Sequence, residues 1–368
     1  MQQSDDERWM HLALALGARG LGQTWPNPAV GCVIVKGGRV LGRGWTQAGG
    51  RPHAERMALD QAAAAACGAT AYVTLEPCAH LGKTPPCANA LIDAGIARVV
   101  AATGDPDMRV AGKGFAALRT AGIEVIHGVL EPQAQQANIG FLTRITQGRP
   151  AITLKLASSL DGKIATSTGE SQWITGKDAR QYVHFLRATH DAVMVGSGTS
   201  LADNPSLNVR INGLDQRKPV RIVLDSTLST PPDSILAKTA QASDVWMCHG
   251  PNSTAQAQAD WGHTGAALIE CAQDGAHLSL TDALAKIASK GITRVFCEGG
   301  GKLAASLIKA GYVDRLISFT AGVAIGPDGT PSLGPLDVTA LAKAPRFTLV
   351  SQRRIGGDLM SEWVPEEN

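Results

Sequence analysis

The chain has 368 residues, 44% hydrophobic and 18% charged, with a formal net charge of +2. This is ordinary globular composition, and the length suits two domains. No run of about 18 apolar residues is present to span a membrane, and charges of +3 on the first 150 residues and −1 on the rest offer no basic stripe for a nucleic acid.

The chain opens on "MQQSDDERW", an acidic, polar start unlike a signal peptide. "ERWMHLALALGARGL" has apolar residues at helical spacing. "AVGCVIV" and "RVLGRGW" are strand runs joined by Lys36, Gly37 and Gly38, a hairpin signal. "HAERMALDQAAAAA" is built of strong helix formers. "ATAYVTL" reads as a strand, and "PPCANALIDAGI" as a helix opened by prolines and closed at Gly95. The strand "ARVVAAT", helix "KGFAALRTAG", strand "IEVIHGV" and helix "PQAQQANIGFLTRI" complete a mixed sheet with helices on its faces, closing near residue 145.

After the polar connection "TQGRP" a second series begins. "AITLKLASS" is a strand and "GKDARQYVHFLRAT" a helix, with Thr175 placed to cap it. "DAVMVGS", "VRIVLDS", "DVWMCH" and "RVFCEGG" are buried-strand runs of the parallel-sheet kind. Three glycines lead into the helix "KLAASLIKAG", and "RFTLVSQRRI" and "DLMSEWV" are closing strands. The seven cysteines are odd in number and scattered, and Cys32 and Cys297 sit in strands. That is reduced, cytoplasmic usage and no disulfide framework.

Three positions in the first half carry metal chemistry: His53, Cys78 and Cys87. His53 and Cys87 fall at expected helix N-termini, where the backbone dipole favours a thiolate. Cys78 follows Pro77 at a strand end. Three N/S ligands leave one tetrahedral position open, as in a catalytic rather than a structural zinc site. Glu55, beside a ligand without being one, is placed to move a proton between water, a ring nitrogen and a departing amine. That is the logic of hydrolytic deamination of an aminopyrimidine-like ring. His80, inside the loop between the cysteines, is a rival ligand.

"HAE" followed by "TLEPC" resembles the cytidine-deaminase superfamily. The usual Pro-Cys-x-x-Cys is absent here, since eight residues separate the cysteines. The expanded "EPCAHLGKTPPC", with "PNPAVGCVIV", resembles the riboflavin-biosynthesis deaminase branch over most of residues 5–145. The resemblance implies a substrate-binding amide at Asn27. Lys83, in the inserted loop, is a cation for a phosphorylated substrate. Asp105 and Arg109, on another Gly-rich edge, are phosphate or interface residues.

In the second half, "FCEGGGKLAASLIKAG" ends a strand, turns on glycines and opens a helix, a site for a diphosphate. With "LKLASSLDGKIAT", "SQWITG" and "VGSGTSLADNPSLNVR", it is similar to the reductase partner of the same deaminase, over roughly residues 151–365. The resemblance implies a dihydrofolate-reductase-like fold and NADPH. It implies cofactor contacts at Ala157, Trp173, Thr199, Asp203, Gly299, Gly300 and Gly301, and substrate contacts at Ser171, Arg187, Leu207, Arg210 and Glu298. Two arginines suit a phosphate. Lys155 and Glu298 are placed on strands to handle protons, and Asp161 reads as a turn residue.

The expectation is an α/β chain: a cytidine-deaminase-like three-layer α/β/α domain over residues 1–147, then a dihydrofolate-reductase-like domain over 151–368. It would deaminate 2,5-diamino-6-(5-phosphoribosylamino)pyrimidin-4(3H)-one with zinc, then reduce the ribosyl to a ribityl chain with NADPH. A homo-oligomer is implied by resemblance alone. Two other readings stay open: a nucleic-acid base deaminase with an accessory nucleotide-binding domain, and a zinc-stabilised binding module. The first predicts a basic face and the second a fourth protein ligand.

Overall fold

The computed structural model describes residues 2–79, 85–107 and 111–366. Two compact units emerge, Met1–Gly148 and Arg149–Asn368.

The first unit is a five-stranded sheet between two helical layers. In chain order it runs α1 (Gln2–Gly17), β1 (Gly31–Lys36), β2 (Arg39–Trp45), α2 (Ala54–Ala62), β3 (Thr70–Val73), α3 (Cys87–Asp93), β4 (Arg98–Ala101), α4 (Lys113–Thr120), β5 (Glu124–His127), α5 (Glu131–Ala137) and α6 (Ile139–Gln147). The strand order is β2-β1-β3-β4-β5. β1 is antiparallel to both neighbours, and β3, β4 and β5 are parallel. Alternation along β1 decides which layer covers which face. Cys32 and Ile34 pack under α2, α3, α4 and α6. Val33 and Val35 pack under α1 and α5 with Met10, Ala13 and Leu16. Each fully buried aliphatic side chain of these layers stabilises the unit by about 1.5–3 kcal/mol.

α2 lies very close to β2 because "LGRGW" puts glycines where the helix crosses. A Cβ at Gly42 would sit 2.0 Å from Ala58 O, and one at Gly44 2.3 Å from Ala54 O. Those two glycines therefore set the depth at which the first turn of α2 is held.

Three sequence expectations are corrected here. The helix expected over "HAERMALDQAAAAA" ends at Ala62 and tightens to a 3-10 turn over Ala63–Ala66. The helix expected over "PQAQQANIGFLTRI" is two helices, broken at Asn138, whose Oδ1 instead accepts the Ala29 N–H at 3.0 Å. β3 stops at Val73, so Cys78 lies in an irregular stretch beyond the strand rather than closing it.

Among the described residues, the second unit forms a nine-stranded sheet and two small two-stranded sheets. It runs β6 (Ala151–Ser159), β7 (Lys163–Ala165), α7 (Lys177–Ala188), β8 (Ala192–Gly196), α8 (Ser197–Asp203), β9 (Val220–Leu224), α9 (Ile235–Lys238), β10 (Val245–His249), α10 (Ala255–His263) and β11 (Ala267–Glu270). It continues with β12 (Gln273–Asp274), β13 (His277–Leu278), α11 (Leu280–Ser289), β14 (Arg294–Cys297), α12 (Gly301–Lys309), β15 (Val313–Ala321), β16 (Thr330–Pro331), β17 (Phe347–Ile355) and β18 (Asp358–Pro365). The large sheet has the order β11-β10-β9-β8-β14-β6-β15-β18-β17. Its first seven strands are parallel, and the β17–β18 hairpin adds an antiparallel edge. The parallel strands β8, β9, β10 and β14 are buried nearly throughout, as their unbroken apolar runs require.

A buried carboxylate fixes the register of β8 against β14. Asp191 Oδ2 accepts Thr293 N–H (2.8 Å), Thr293 Oγ1–H (2.6 Å) and Arg294 N–H (2.9 Å). The C-terminal ends of these neighbouring strands then lie side by side, where open α/β sheets bind ligands. Thr175 does not cap α7. The N-cap is Gly176, whose N–H donates to Asp358 Oδ2 at 2.7 Å, and Thr175 offers its carbonyl to Arg180.

Candidate metal centre and reductase site

His53 is the N-cap residue of α2, but its side chain makes no capping bond and is left for other work. Cys87 is the first residue of α3. Together with Cys78 they form a cluster whose ligand atoms all lie within 4.8 Å of one another. His53 Nδ1 is 3.2 Å from Cys87 Sγ and 3.7 Å from Cys78 Sγ. Neighbouring ligands of a tetrahedral zinc with bonds of about 2.0–2.3 Å lie about 3.5–3.8 Å apart. The three donors therefore match one face of a zinc tetrahedron, with no fourth His, Cys, Asp or Glu among the described residues. His80, the rival ligand, lies outside them, as do Lys83 and Arg109.

The thiols polarise one another. The hydrogen bond from Cys87 brings the Cys78 thiol down to about 4, helped by His53 and by the Cys87 N–H, which donates to Cys78 Sγ at 3.3 Å. Cys87 is raised in turn by that same bond, by burial and by Glu55. Without a cation the pair supports one thiolate, and a dication between them favours two.

Glu55, in the first turn of α2, is 4% exposed. Burial pushes its carboxyl above the usual range, the Cys78 charge adds to this, and His53 opposes it. Its carboxyl is also bonded to the Cys87 thiol. Asn27 is half-buried in the loop before β1, with its side-chain amide against Gly50. Gly49 N–H donates to Gln23 O at 2.8 Å, tying the Asn27 loop to the loop that delivers His53.

Glu76 was not singled out by sequence reasoning, although it belongs to "TLEPC". Its buried carboxylate accepts the N–H groups of Gly114 (2.9 Å), Phe115 (3.2 Å), Gly112 (3.0 Å) and Asp105 (3.3 Å). It thus anchors the start of α4 and the turn before it next to Cys78. Asp105 is part of that turn: its Oδ1 accepts the Asp107 N–H at 2.9 Å. The signal available in the sequence was a carboxylate two residues before a ligand, facing a Gly-rich turn. A Cβ at Gly114 would lie 2.0 Å from Pro77 O. Gly114→Ala is therefore expected to cost about 1–3 kcal/mol by overpacking and to weaken zinc retention by displacing Cys78. Thermal melts and metal analysis of the purified variant check both.

In the second unit the expected residues form two groups. The first lies at the ends of β8 and β14. Gly300 N–H donates to Thr199 Oγ1 at 2.9 Å, and α12 starts at Gly301 with no side-chain cap. Gly301 O accepts the Gly334 N–H at 2.9 Å. The Gly299 N–H is turned back to Cys297.

The second group surrounds Lys155. Burial lowers the Lys155 amine, against the pull of Glu298, with Arg187 and Asp203 also facing it. Burial pushes Glu298 up, but Arg187 outweighs it and holds the carboxyl below its usual range. Arg187 grips Glu298 through both oxygens, at 2.5 and 3.0 Å, and donates to Asn208 O at 2.9 Å. The charge of Arg187, an expected substrate contact, is matched by Glu298, the other expected contact beside it. Arg210 is exposed, in no ion pair among the described residues, and held by His184.

Leu207 is also corrected in part. Its side chain is 2% exposed and belongs to the core, so only its backbone can meet a ligand. Trp173 is 66% exposed with Arg180 stacked 4.5 Å over its ring, so it is not a core residue. Ser171 is half-buried in the same loop, and Ala157 of β6 pairs with Phe319 of β15. No side-chain hydrogen bond joins Ala157, Ser171 or Trp173 to the Lys155 group among the described residues. Asp161 pins a loop: it accepts from Ser159 Oγ (2.6 Å) and from the N–H groups of Ile325 and Gly326. No helix among the described residues is long and apolar enough to cross a membrane.

Comparison with known proteins accounts for both halves. Residues 3–103 match the cytidine and deoxycytidylate deaminase zinc-binding region, and residues 150–361 match the RibD C-terminal domain. The chain is 43% identical to the riboflavin biosynthesis protein RibD of Escherichia coli (strain K12), covering 96% of this chain and 98% of that one. It is 41% identical to RibD of Aquifex aeolicus, over 96% and 97%. Among solved structures, Acinetobacter baumannii RibD is 38% identical with a TM-score of 0.89, covering 99% of this chain and 100% of that one. The Thermotoga maritima diaminohydroxyphosphoribosylaminopyrimidine deaminase/5-amino-6-(5-phosphoribosylamino)uracil reductase is 33% identical with a TM-score of 0.86, over 99% and 100%. The chain belongs to the RibD family, bifunctional enzymes of riboflavin biosynthesis that join a zinc-binding deaminase to a reductase.

Proposed function

We propose that the first unit hydrolytically deaminates 2,5-diamino-6-(5-phosphoribosylamino)pyrimidin-4(3H)-one and that the second reduces the ribosyl chain of the product to ribityl. The observation that carries the first step is the three-ligand cluster with a buried, non-ligating carboxylate against it. His53, Cys78 and Cys87 would hold the zinc, which when bound would acidify a water towards hydroxide at neutral pH. Glu55 takes the first proton of the attacking water and passes it to the ring nitrogen, then takes the hydroxyl proton of the tetrahedral adduct and gives it to the departing amine as the C–N bond breaks. Water oxygen is gained by the ring carbon and ammonia leaves. Asn27 orients the pyrimidine through its side-chain amide. Lys83, in the loop between the cysteines, is our choice for the cation that meets the phosphate in this step.

NADPH, when bound in the second unit, would supply the hydride. The reaction needs a ring-opened imine, which takes hydride at C1′ and a proton at nitrogen. Lys155, with its amine lowered by burial, exchanges protons with the opening sugar and the imine, and Glu298 keeps it oriented. Ala157, Trp173, Thr199, Asp203 and the turn Gly299, Gly300 and Gly301 make the cofactor contacts. The uncapped N-terminus of α12 supports a diphosphate there. Ser171, the Leu207 backbone, Arg210 and the Arg187–Glu298 pair line the substrate side, with Arg210 meeting the phosphate. The reading places the enzyme in the cytoplasm, as a homo-oligomer with a phosphorylated aminopyrimidine substrate and no nucleic-acid partner.

Titration with each nicotinamide cofactor tests this reading. NADPH is expected to bind at least about tenfold more tightly than NADH, and equal affinity sinks the cofactor assignment. Lys155→Met should keep NADPH binding and lower reductase kcat by about 10²-fold, the lower end for a lost acid–base group. Unchanged kcat would remove Lys155 from the chemistry.

A further inference from the structure

His184 lies three residues before Arg187 on α7, and neither the resemblance nor the mechanism above gives it a role. Its ring is placed between two guanidinium groups and one carbonyl. Nδ1 is 3.0 Å from Asn208 O, which also accepts from Arg187 Nη1. Nε2 is 3.4 Å from Arg210 Nε, and the Arg210 backbone N–H approaches Nδ1 at 3.3 Å.

Hydrogen-bond chemistry chooses the tautomer. A carbonyl only accepts, so Nδ1 must carry the proton to bond Asn208 O. Nε2 is then a lone pair, which accepts the Arg210 Nε–H. This tautomer leaves the Arg210 backbone N–H facing Nδ1–H at 3.3 Å, whereas the other accepts that one bond but sets a lone pair against Asn208 O and donors against each other on Nε2. The surroundings also keep the ring neutral: burial lowers its basicity, and Arg187 and Arg210 add to this against the weaker opposing pulls of Asn208 and Glu298. A protonated ring would lose the acceptor that Arg210 uses.

We propose that His184 is a positioning residue for the substrate phosphate in the reductase step, a neutral acceptor that holds Arg210 by its Nε edge. This leaves both Nη groups, unpartnered among the described residues, for the two-pronged grip on a phosphate that guanidinium geometry allows. Asn208 makes the arrangement one unit, because its carbonyl fixes His184 and Arg187 together. The proposal rests on the assignment of Arg210 to the phosphate.

The test is steady-state reductase kinetics on the full chain, with the phosphorylated aminouracil substrate and NADPH. His184→Met keeps bulk and helix propensity but removes both ring nitrogens, and His184→Leu is a second deletion of the same kind. Both should raise KM for the substrate about tenfold with kcat and the NADPH KM within about twofold, the signature of lost ground-state binding. His184→Gln keeps one donor and one acceptor and should stay within about threefold of wild type. In a cycle with Arg210→Ala, the His184→Met effect should vanish, because the two side chains act as one. If Arg210→Ala raises KM but His184→Met and His184→Leu do not, or if the effects add, the positioning role is overturned alone. If Arg210→Ala leaves KM unchanged, the phosphate assignment falls and takes this role with it.

Discussion

Cys87→Ala is expected to strip the zinc and abolish deamination, with a loss of at least about 10³-fold in ammonia release, while NADPH-dependent reduction survives. The metal supplies the nucleophile at neutral pH, and two donors at 3.7 Å do not hold a dication as three do. The separation of activities follows from the cores: the strands and helices around the cluster are packed within Met1–Gly148, and the reductase sheet has its own buried layer. Ammonia release, zinc content and NADPH oxidation on one preparation decide the matter. Full deamination without zinc would refute the metal reading. Loss of both activities together would show that the cluster is needed for folding of the whole chain. Treating the wild-type enzyme with a chelator should reproduce the first result without a substitution.

The second large effect is expected from Glu55→Gln. The amide preserves shape but cannot take or give the proton, so kcat for deamination should fall about 10²–10⁴-fold, with zinc content unchanged. The two variants thus separate holding the metal from moving the proton. Glu55 is buried, in the first turn of α2, and is not among the three clustered donors. A Glu55→Gln enzyme that loses zinc would make the carboxylate structural. One that retains deamination would end its role as proton carrier.

His53, Glu55 and Cys87 were legible because each sits at the start of a helix with its own local signal, whereas Cys78 lies in an irregular stretch beyond β3. "PHAE" opens a helix formed by strong helix formers, "PPC" opens another, and the spacing needed no long-range knowledge. The strands β8, β9, β10 and β14 were legible for a different reason: a strand buried on both faces must be apolar at every position. Asn138 was not legible. Its break between α5 and α6 exists because a side chain 109 positions away in sequence from Ala29 supplies that residue's hydrogen bond.

What the sequence by itself determined was chemical inventory and order: two α/β units, a His-Cys-Cys set beside a glutamate, a glycine turn at a strand end, and basic residues suited to a phosphate. Those properties are local, since residue type and period suffice to state them. Only the tertiary structure decided which charges are spent and which are available. Arg187 and Arg210 look alike in sequence, yet Glu298 neutralises the first at 2.5 Å and an imidazole holds the second. Leu207 looks like a side-chain contact in sequence, yet its side chain is in the core and only its backbone is left for a ligand. Glu76 looks like part of a motif and carries four backbone hydrogen bonds. The reason is the same in each case. A charge or a buried polar group is defined by its partners, and partners separated by tens or hundreds of residues meet only when the sheet is assembled.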